Sequence, residues 1–318
     1  MSQVKSLPPA ARFRALREAV PGGASEREEK QMSMECENEE ATFQCYLGNL
    51  DPVWCPGCGD FSVLGAFVEA ARRLGLPTHK LALVSGIGCS SRFPFFTKAY
   101  GFHGVHGRAL PIAQGVKLSN PELTVVVPGG DGDGLAIGGG HLPHICRNNP
   151  DITYLLFNNA IYGLTKGQTS PTSPIYLSTK TAPYGLMGDA FNPAFLALAY
   201  GATFVARGAA VKREHLSNLI EQGIRHKGFS FIEIITSCSS FSTKHVSITN
   251  VLQRMSFLEN PPEDDLEALR LAADRQSIYL GVLRDVERST LNEHAEKVQR
   301  TSQKAGAATV EGLLRQFA

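Results

Sequence analysis

From residue 60 onward the chain alternates helical and strand patterns, and few folds satisfy that alternation. Phe61, Leu64, Phe67, Val68 and Ala71 recur at helical spacing after Asp60, a candidate cap, and Gly75 and Pro77 end the run at Arg73. Leu81–Ser85 is a short apolar strand. Then come a Gly- and His-rich loop, a helix over Ile112–Ser119, a β-branched strand at Leu123–Val127, a helix over Leu135–Arg147 and a strand at Ile152–Phe157. Helices over Pro193–Tyr200 and Lys212–Lys227 flank a strand at Thr203–Ala206, and Phe229–Thr236 is strongly apolar. The order predicts an α/β fold, an open parallel sheet with helices on both faces. Ligands of such sheets bind beyond the carboxyl ends of the strands, which directs attention to the segments after Val84, Val127, Phe157 and Thr236.

The flanks have a different character. Residues 1–45 carry Pro8-Pro9, Pro21-Gly22-Gly23 and a charge-rich run from Glu26 to Glu40, and are expected to be a mobile extension. Arg12, Arg14 and Arg17 suit a transit peptide, but the acidic stretch that follows does not. Residues 46–245 form the binding domain, and residues 246–318, punctuated at Pro261-Pro262, are expected to be a wrapping tail with helices. Lys+Arg 31 against Asp+Glu 30 argues against a nucleic-acid partner. No apolar run is long enough to span a membrane, so a cytoplasmic location is expected.

Seven cysteines are an odd count for a disulfide framework and point to metal or redox chemistry. Cys55 and Cys58 form a Cys-Pro-Gly-Cys turn; Cys89 and Cys238 each follow a predicted strand. Four thiolates at one sheet edge suit either a tetrahedral zinc ion or an iron–sulfur cluster, and spacing alone does not choose between them. A thioredoxin-like site is disfavoured, because Gly48–Val53 is not the buried strand that fold requires. Cys36, Cys45 and Cys146 lack such a context and are expected to be ordinary thiols, Cys146 in the core.

The segment Val127-Pro-Gly-Gly-Asp-Gly-Asp-Gly134 joins a strand to a helix. Its glycines let backbone N–H groups approach a phosphate, the helix N-terminus favours negative charge, and a carboxylate in the turn supplies a Mg²⁺ ligand. An EF-hand is excluded because Leu142 stands at the twelfth position, and the phosphate-loop Gly-Lys-Ser/Thr is absent. About thirty residues later the next strand ends in Asn158-Asn159-Ala-Ile-Tyr-Gly163. Together the two segments are similar to the thiamine diphosphate signature, in which Asn159 and the Ile161 carbonyl would join Asp131 on the metal.

Trp54-Cys-Pro-Gly-Cys-Gly-Asp60, Ser85-Gly-Ile-Gly-Cys-Ser-Ser-Arg92, Tyr100-Gly-Phe-His-Gly-Val-His-Gly-Arg108, Gly129–Gly134 and Tyr162-Gly-Leu-Thr-Lys-Gly-Gln-Thr-Ser-Pro171 follow one another in order. In these the chain resembles the β subunits of 2-oxoacid:ferredoxin oxidoreductases, nearest the 2-oxoglutarate type, over about residues 46–245. The resemblance implies a thiamine-diphosphate-binding fold. It implies a [4Fe–4S] cluster on Cys55, Cys58, Cys89 and Cys238, Mg²⁺ on Asp131, Asn159 and Ile161, and thiamine diphosphate against Ile87, Gly88, Cys89, Ser90, Gly132, Asp133, Gly163 and Leu164. It further implies coenzyme A as co-substrate, ferredoxin as electron acceptor and an α subunit as partner. That subunit would bring the glutamate that activates the cofactor, since no Glu lies in the motif segments here. Where the family commonly has Cys-Pro-Thr-Phe, this chain has Cys238-Ser-Ser-Phe241.

Arg92 is the candidate for a substrate carboxylate, because a guanidinium binds carboxylate bidentately; a structural salt bridge is its plainer role. Lys166 is a second candidate, for substrate or for cofactor phosphate. His106 is the candidate catalytic histidine, in polar contact with substrate or cofactor. His103/His106 and His141/His144 lie in two unlike loops with no acidic ligand nearby, which argues against zinc. The competing functions are a non-oxidative thiamine diphosphate decarboxylase or synthase, which needs no one-electron acceptor, and a zinc-stabilised α/β interaction protein.

Overall fold

The computed structural model describes residues 42–241 and 251–304 together with residues 309, 312, 314 and 315. The expected extension over residues 1–45 therefore lies almost wholly outside the described residues. The first long helix, α1 (Asp60–Arg73), starts one residue earlier than a capping Asp60 would have it: the cap position is Gly59, and the Asp60 side chain turns to Cys58 instead. Its end follows the glycine rule. Gly75 takes φ +60, its N–H bonds the Arg72 carbonyl, and the Leu76 N–H reaches back to Ala71, the Schellman pattern.

Strands β1 (Leu81–Ser85), β2 (Tyr100–His103), β3 (Thr124–Gly130), β4 (Ile152–Asn158), β5 (Phe204–Ala209), β6 (Phe229–Ile235), β7 (Met255–Phe257) and β8 (Ile278–Asp285) form one sheet, in the order β2-β1-β3-β4-β6-β5-β8-β7. All neighbours are parallel except β5 and β8, which run antiparallel past an irregularity at Val205/Ala206. Residues 246–318 therefore contribute two strands to the sheet edge beside their helices α6 (Asp265–Ala273) and α7 (Leu291–Lys304). The edge strand β2 lies in the stretch read from sequence as a loop; its four residues are all exposed, so no burial pattern marked it.

Successive strand residues point to opposite faces, and the two cores follow that period. Leu155 and Phe157 of β4 join α1 and α5 (Arg213–Arg225) on one face. Ile152, Tyr154 and Leu156 join α2 (Ala109–Ser119), α3 (Leu142–Asn148), α4 (Pro193–Ala199) and α6 on the other. Cys146 is fully buried among the latter. Cys45 is disulfide-bonded, not a simple thiol, and Cys36 lies outside the described residues.

The helix expected over Leu135–Arg147 is broken. A π-turn (Asp133–Ile137) and a 3₁₀ turn (Gly139–His141) precede a short α3. A Cβ on Gly138 would stand 2.5 Å from the Asp133 carbonyl and 3.1 Å from Gly107 Cα, so two backbones touch here. That contact outweighs helical periodicity. The chain leaves β1 toward β2 on one side and then returns across it to β3 on the other, so the strand order reverses between β1 and β3 and opens a crevice at their carboxyl ends.

Candidate functional site

The crevice is built from four strand exits. Gly130 of β3 is in register with Phe157 of β4, so Asp131 and Asn159 leave neighbouring strands side by side. Asp131 is 2% exposed, and burial pushes its carboxyl up against the opposing hydrogen bonds of Ser170 and Thr172. Ser170 Oγ donates at 2.5 Å and Thr172 Oγ1 at 2.6 Å to Asp131 Oδ2. Asn159 Oδ1 accepts from the Ile161 N–H at 3.0 Å in a turn that carries Ala160 at φ +57, and Ser173 Oγ donates to the Ala160 carbonyl at 2.6 Å. One buried carboxylate, an amide oxygen from the neighbouring strand exit and backbone carbonyls form a set of hard oxygen donors that fits Mg²⁺ completed by phosphate. Ser170, Thr172 and Ser173 were not picked out from sequence. Their signal is the hydroxyl-rich Thr169-Ser-Pro-Thr-Ser173, which looks like an ordinary loop until Asp131 needs donors.

Asp133 does a different job. Its Oδ1 accepts from the Ile87 N–H at 2.9 Å, the Gly107 N–H at 2.8 Å and His106 Nδ1 at 2.6 Å. The carboxylate thus ties the exit of β1 to the turn at Gly107, and Gly86 must lack a Cβ because one would overlap Asp133 Oδ2. His106 keeps this bond at the rim of the crevice, with its ring 6.4 Å from that of Tyr162. Tyr162 Oη donates to the Gly132 carbonyl at 3.0 Å, and a Cβ on Gly132 would overlap the Tyr162 ring. Bare backbone at Gly130, Gly132 and Gly163 leaves the cradle that a diphosphate requires. Ser90 Oγ lies against Gly130, within 3.2 Å of where a Cβ would be.

The same exits bring the four candidate cluster cysteines together. Pro56 and Gly57 (φ +78) turn the chain so that the Cys58 N–H bonds the Cys55 carbonyl at 3.0 Å. Trp54 Nε1 donates to the Cys89 carbonyl at 2.7 Å and clamps that turn onto the β1 exit; its ring packs on Phe61 and Phe96. The Gly59 N–H bonds the Ser237 carbonyl, which fixes the turn to the β6 exit. Burial raises both the Cys58 and Cys89 thiols, the latter to about 11, with Asp60 adding to each. Cys58 is raised further by Cys89 and Cys238, and Cys89 by Cys238 and Cys55, while the Arg92 guanidinium opposes the shift at Cys89. A Cβ on Gly163 would lie 3.3 Å from Cys238 Sγ and 3.7 Å from Cys89 Sγ, so the sulfurs sit beside the open face of this glycine in the phosphate-side loop.

Thiolates this close repel each other unless a cationic core joins them. Among the described residues no three His, Cys, Asp or Glu side chains are grouped so as to hold one metal ion. The buried hydroxyls Ser91 Oγ and Thr236 Oγ1, two residues from Cys89 and Cys238, have no hydrogen-bond partner among the described residues. Asp60 lies buried against Cys58, and burial raises its carboxyl to about 7.

Arg92 sits on the 3₁₀ turn Ser90–Phe96 beside Cys89 and forms no ion pair among the described residues. Lys166 is exposed at φ +86 in a turn closed by the Gly167 N–H to the Tyr162 carbonyl, and Leu164 is partly exposed beside it. Strained backbone in a binding loop is held only where its surroundings over-determine it.

Fold and site together define a thiamine pyrophosphate domain: residues 84–234 match the family model described as thiamine pyrophosphate enzyme, C-terminal TPP binding domain. The chain belongs to the family of 2-oxoacid:ferredoxin oxidoreductase β subunits. It is 40% identical over 240 residues to 2-oxoglutarate synthase subunit KorB of Methanothermobacter thermautotrophicus, covering 75% of this chain and 84% of that one. It is 48% identical over 189 residues to 2-oxoacid:ferredoxin oxidoreductase 2, subunit beta, of Aeropyrum pernix, covering 59% of this chain and 61% of that one. The match to 2-oxoglutarate oxidoreductase subunit KorB of Mycobacterium tuberculosis spans 51% of the relative. A solved 2-oxoglutarate:ferredoxin oxidoreductase from Magnetococcus marinus, with 2-oxoglutarate, coenzyme A and succinyl-CoA bound, superposes with a TM-score of 0.83 at 36% identity, covering 88% of this chain and 97% of that one.

Proposed function

We propose that this chain is the β subunit of a 2-oxoacid:ferredoxin oxidoreductase that converts 2-oxoglutarate, with coenzyme A, to the acyl-CoA and CO₂, passing electrons through a [4Fe–4S] cluster to ferredoxin. The observation that carries the proposal is the position of Gly163, where an added Cβ would come within 3.7 Å of the sulfurs of both Cys89 and Cys238: a cofactor cradle and a redox centre would share one wall. Bound thiamine diphosphate supplies the electron sink for decarboxylation, and the residues of this chain supply position. Asp131, Asn159 and the Ile161 carbonyl hold Mg²⁺. Backbone at Ile87–Ser90, Gly132–Asp133 and Gly163–Leu164 lines the cofactor, and Asp133 keeps the first two of these segments in fixed relation. Cys55, Cys58, Cys89 and Cys238 hold the cluster at a partly exposed edge that an electron acceptor can approach.

Arg92 and Lys166 offer positive charge to a second carboxylate, which favours a dicarboxylate substrate. No motif segment holds a glutamate for the cofactor, so the α subunit provides it. The described residues contain no helix long and apolar enough to cross a membrane, which fits the cytoplasmic setting of ferredoxin-linked chemistry. The test is anaerobic co-purification with an α-subunit partner, followed by coenzyme-A-dependent reduction of a low-potential dye with a panel of 2-oxoacids. The complex is expected to be brown and most active on 2-oxoglutarate, and this chain alone brown and inactive. A colourless chain, or turnover by the chain alone, would overturn the proposal.

A further inference from the structure

A single row of polar side chains crosses the carboxyl end of the sheet from β3 to β5. Beyond Asp131 and Thr172, Thr172 Oγ1 also lies 2.9 Å from Asn158 Oδ1 at the end of β4. Asn158 Nδ2 donates to Glu233 Oε1 of β6 at 2.8 Å, and Glu233 Oε2 accepts from Arg207 Nε of β5 at 2.7 Å. Arg207 and Glu233 face each other in the strand register and are 4% and 2% exposed. Arg207 Nη2 donates onward to Asn192 Oδ1 at 3.2 Å.

As a stabilising device the pair is a poor choice. Its neighbours on this face, Leu156, Val205 and Phe231, are apolar and fully buried, and replacing a buried ion pair by apolar side chains is commonly neutral or favourable. As an orienting device it has a definite effect. A carboxylate held by a guanidinium only accepts, so Asn158 must turn its NH₂ to Glu233 and its oxygen to Thr172. The Thr172 hydroxyl then has one proton and two acceptors, Asn158 Oδ1 and Asp131 Oδ2, while Ser170 keeps a second donor on the same Asp131 oxygen. The donors around Asp131 are thus set from two strands away.

We infer that Arg207 and Glu233 are positioning residues for the divalent-cation site, acting through Asn158 and Thr172 on the Asp131 carboxylate. This rests on the assignment of Asp131 as a metal ligand made above. The test measures Mn²⁺ binding to the full chain with thiamine diphosphate present, counting free Mn²⁺ by electron paramagnetic resonance. Thr172→Val and Glu233→Gln are each expected to weaken binding about tenfold, the lower end for residues that orient metal ligands. Thr172→Ser restores it. The double variant Thr172→Val/Glu233→Gln is expected to be no worse than Thr172→Val, because Glu233 acts only through that hydroxyl. If Glu233→Gln does not fold, Arg207→Lys, which loses the Nε donor, takes its place. Unchanged Mn²⁺ affinity in the single variants, or losses that multiply in the double variant, would overturn the inference. Asp131→Asn separates the two claims: if it binds Mn²⁺ like the parent, or the parent binds none, the metal assignment itself fails and the inference with it.

Discussion

Single atoms decide much of this site, and Arg92 shows how. Its guanidinium lies close enough to Cys89 to oppose the rise of that thiol, yet no carboxylate among the described residues claims it. A cation left available beside a cofactor cradle suits a substrate with a spare carboxylate. Arg92→Ala is therefore expected to raise KM for 2-oxoglutarate at least about tenfold in the assembled enzyme while changing KM for pyruvate little, as a lost uniform-binding contact should. Steady-state kinetics on both substrates checks this, and equal changes would refute the assignment. The candidate ligand residues stood out in the sequence because cysteine, aspartate and glycine have few alternatives in such loops. The partners of Asp131 and Asp133 were not, because hydroxyls and backbone N–H groups carry no signal of whom they will meet.

Elements were legible where burial is periodic or continuous. α1 and α5 follow helical spacing, and the five core strands are apolar runs buried along nearly their whole length, though β3 and β5 run three residues past their expected ends. β2 was lost because all its residues are exposed, and β8 because half-buried residues blur its alternation. The broken helix after β3 has a sharper lesson. Residues 135–147 have helical periodicity, but the Gly107–Gly138 backbone contact fixes the Asp133 turn and imposes π and 3₁₀ geometry. Gly138→Ala is expected to cost about 1–3 kcal/mol, because all three atoms its Cβ would meet are backbone and cannot swing aside. Gly139→Ala, whose Cβ would meet nothing within 4 Å, is expected to stay within about 0.5 kcal/mol of the parent. Urea unfolding of the two variants distinguishes these outcomes.

Over the whole molecule, the C-terminal segment is part of the sheet as well as a covering. β8 extends it, β7 follows, and Phe257 of β7 receives the His215 ring of α5 at 5.0 Å and the Lys212 ammonium at 5.7 Å. Burial holds His215 below its ordinary value of 6.5, and its Nδ1 has no hydrogen-bond partner among the described residues. The unfolded chain therefore binds this proton more readily than the folded one. Stability contributed at neutral pH is lost as pH falls below the unfolded value, with a slope of at most about 1.4 kcal/mol per pH unit. His215→Leu should flatten the part of the profile that falls below about pH 6.5, read from urea midpoints; an unchanged slope would assign the pH dependence elsewhere.

The sole tryptophan offers a last consequence. Trp54 is buried, donates to the Cys89 carbonyl and stands next to Cys55. Its indole is thus a built-in optical probe, with no second indole in the chain to obscure it. Iron–sulfur absorption overlapping its emission would quench it, so bleaching or chelation of the cluster would be read as a rise in fluorescence from one known position.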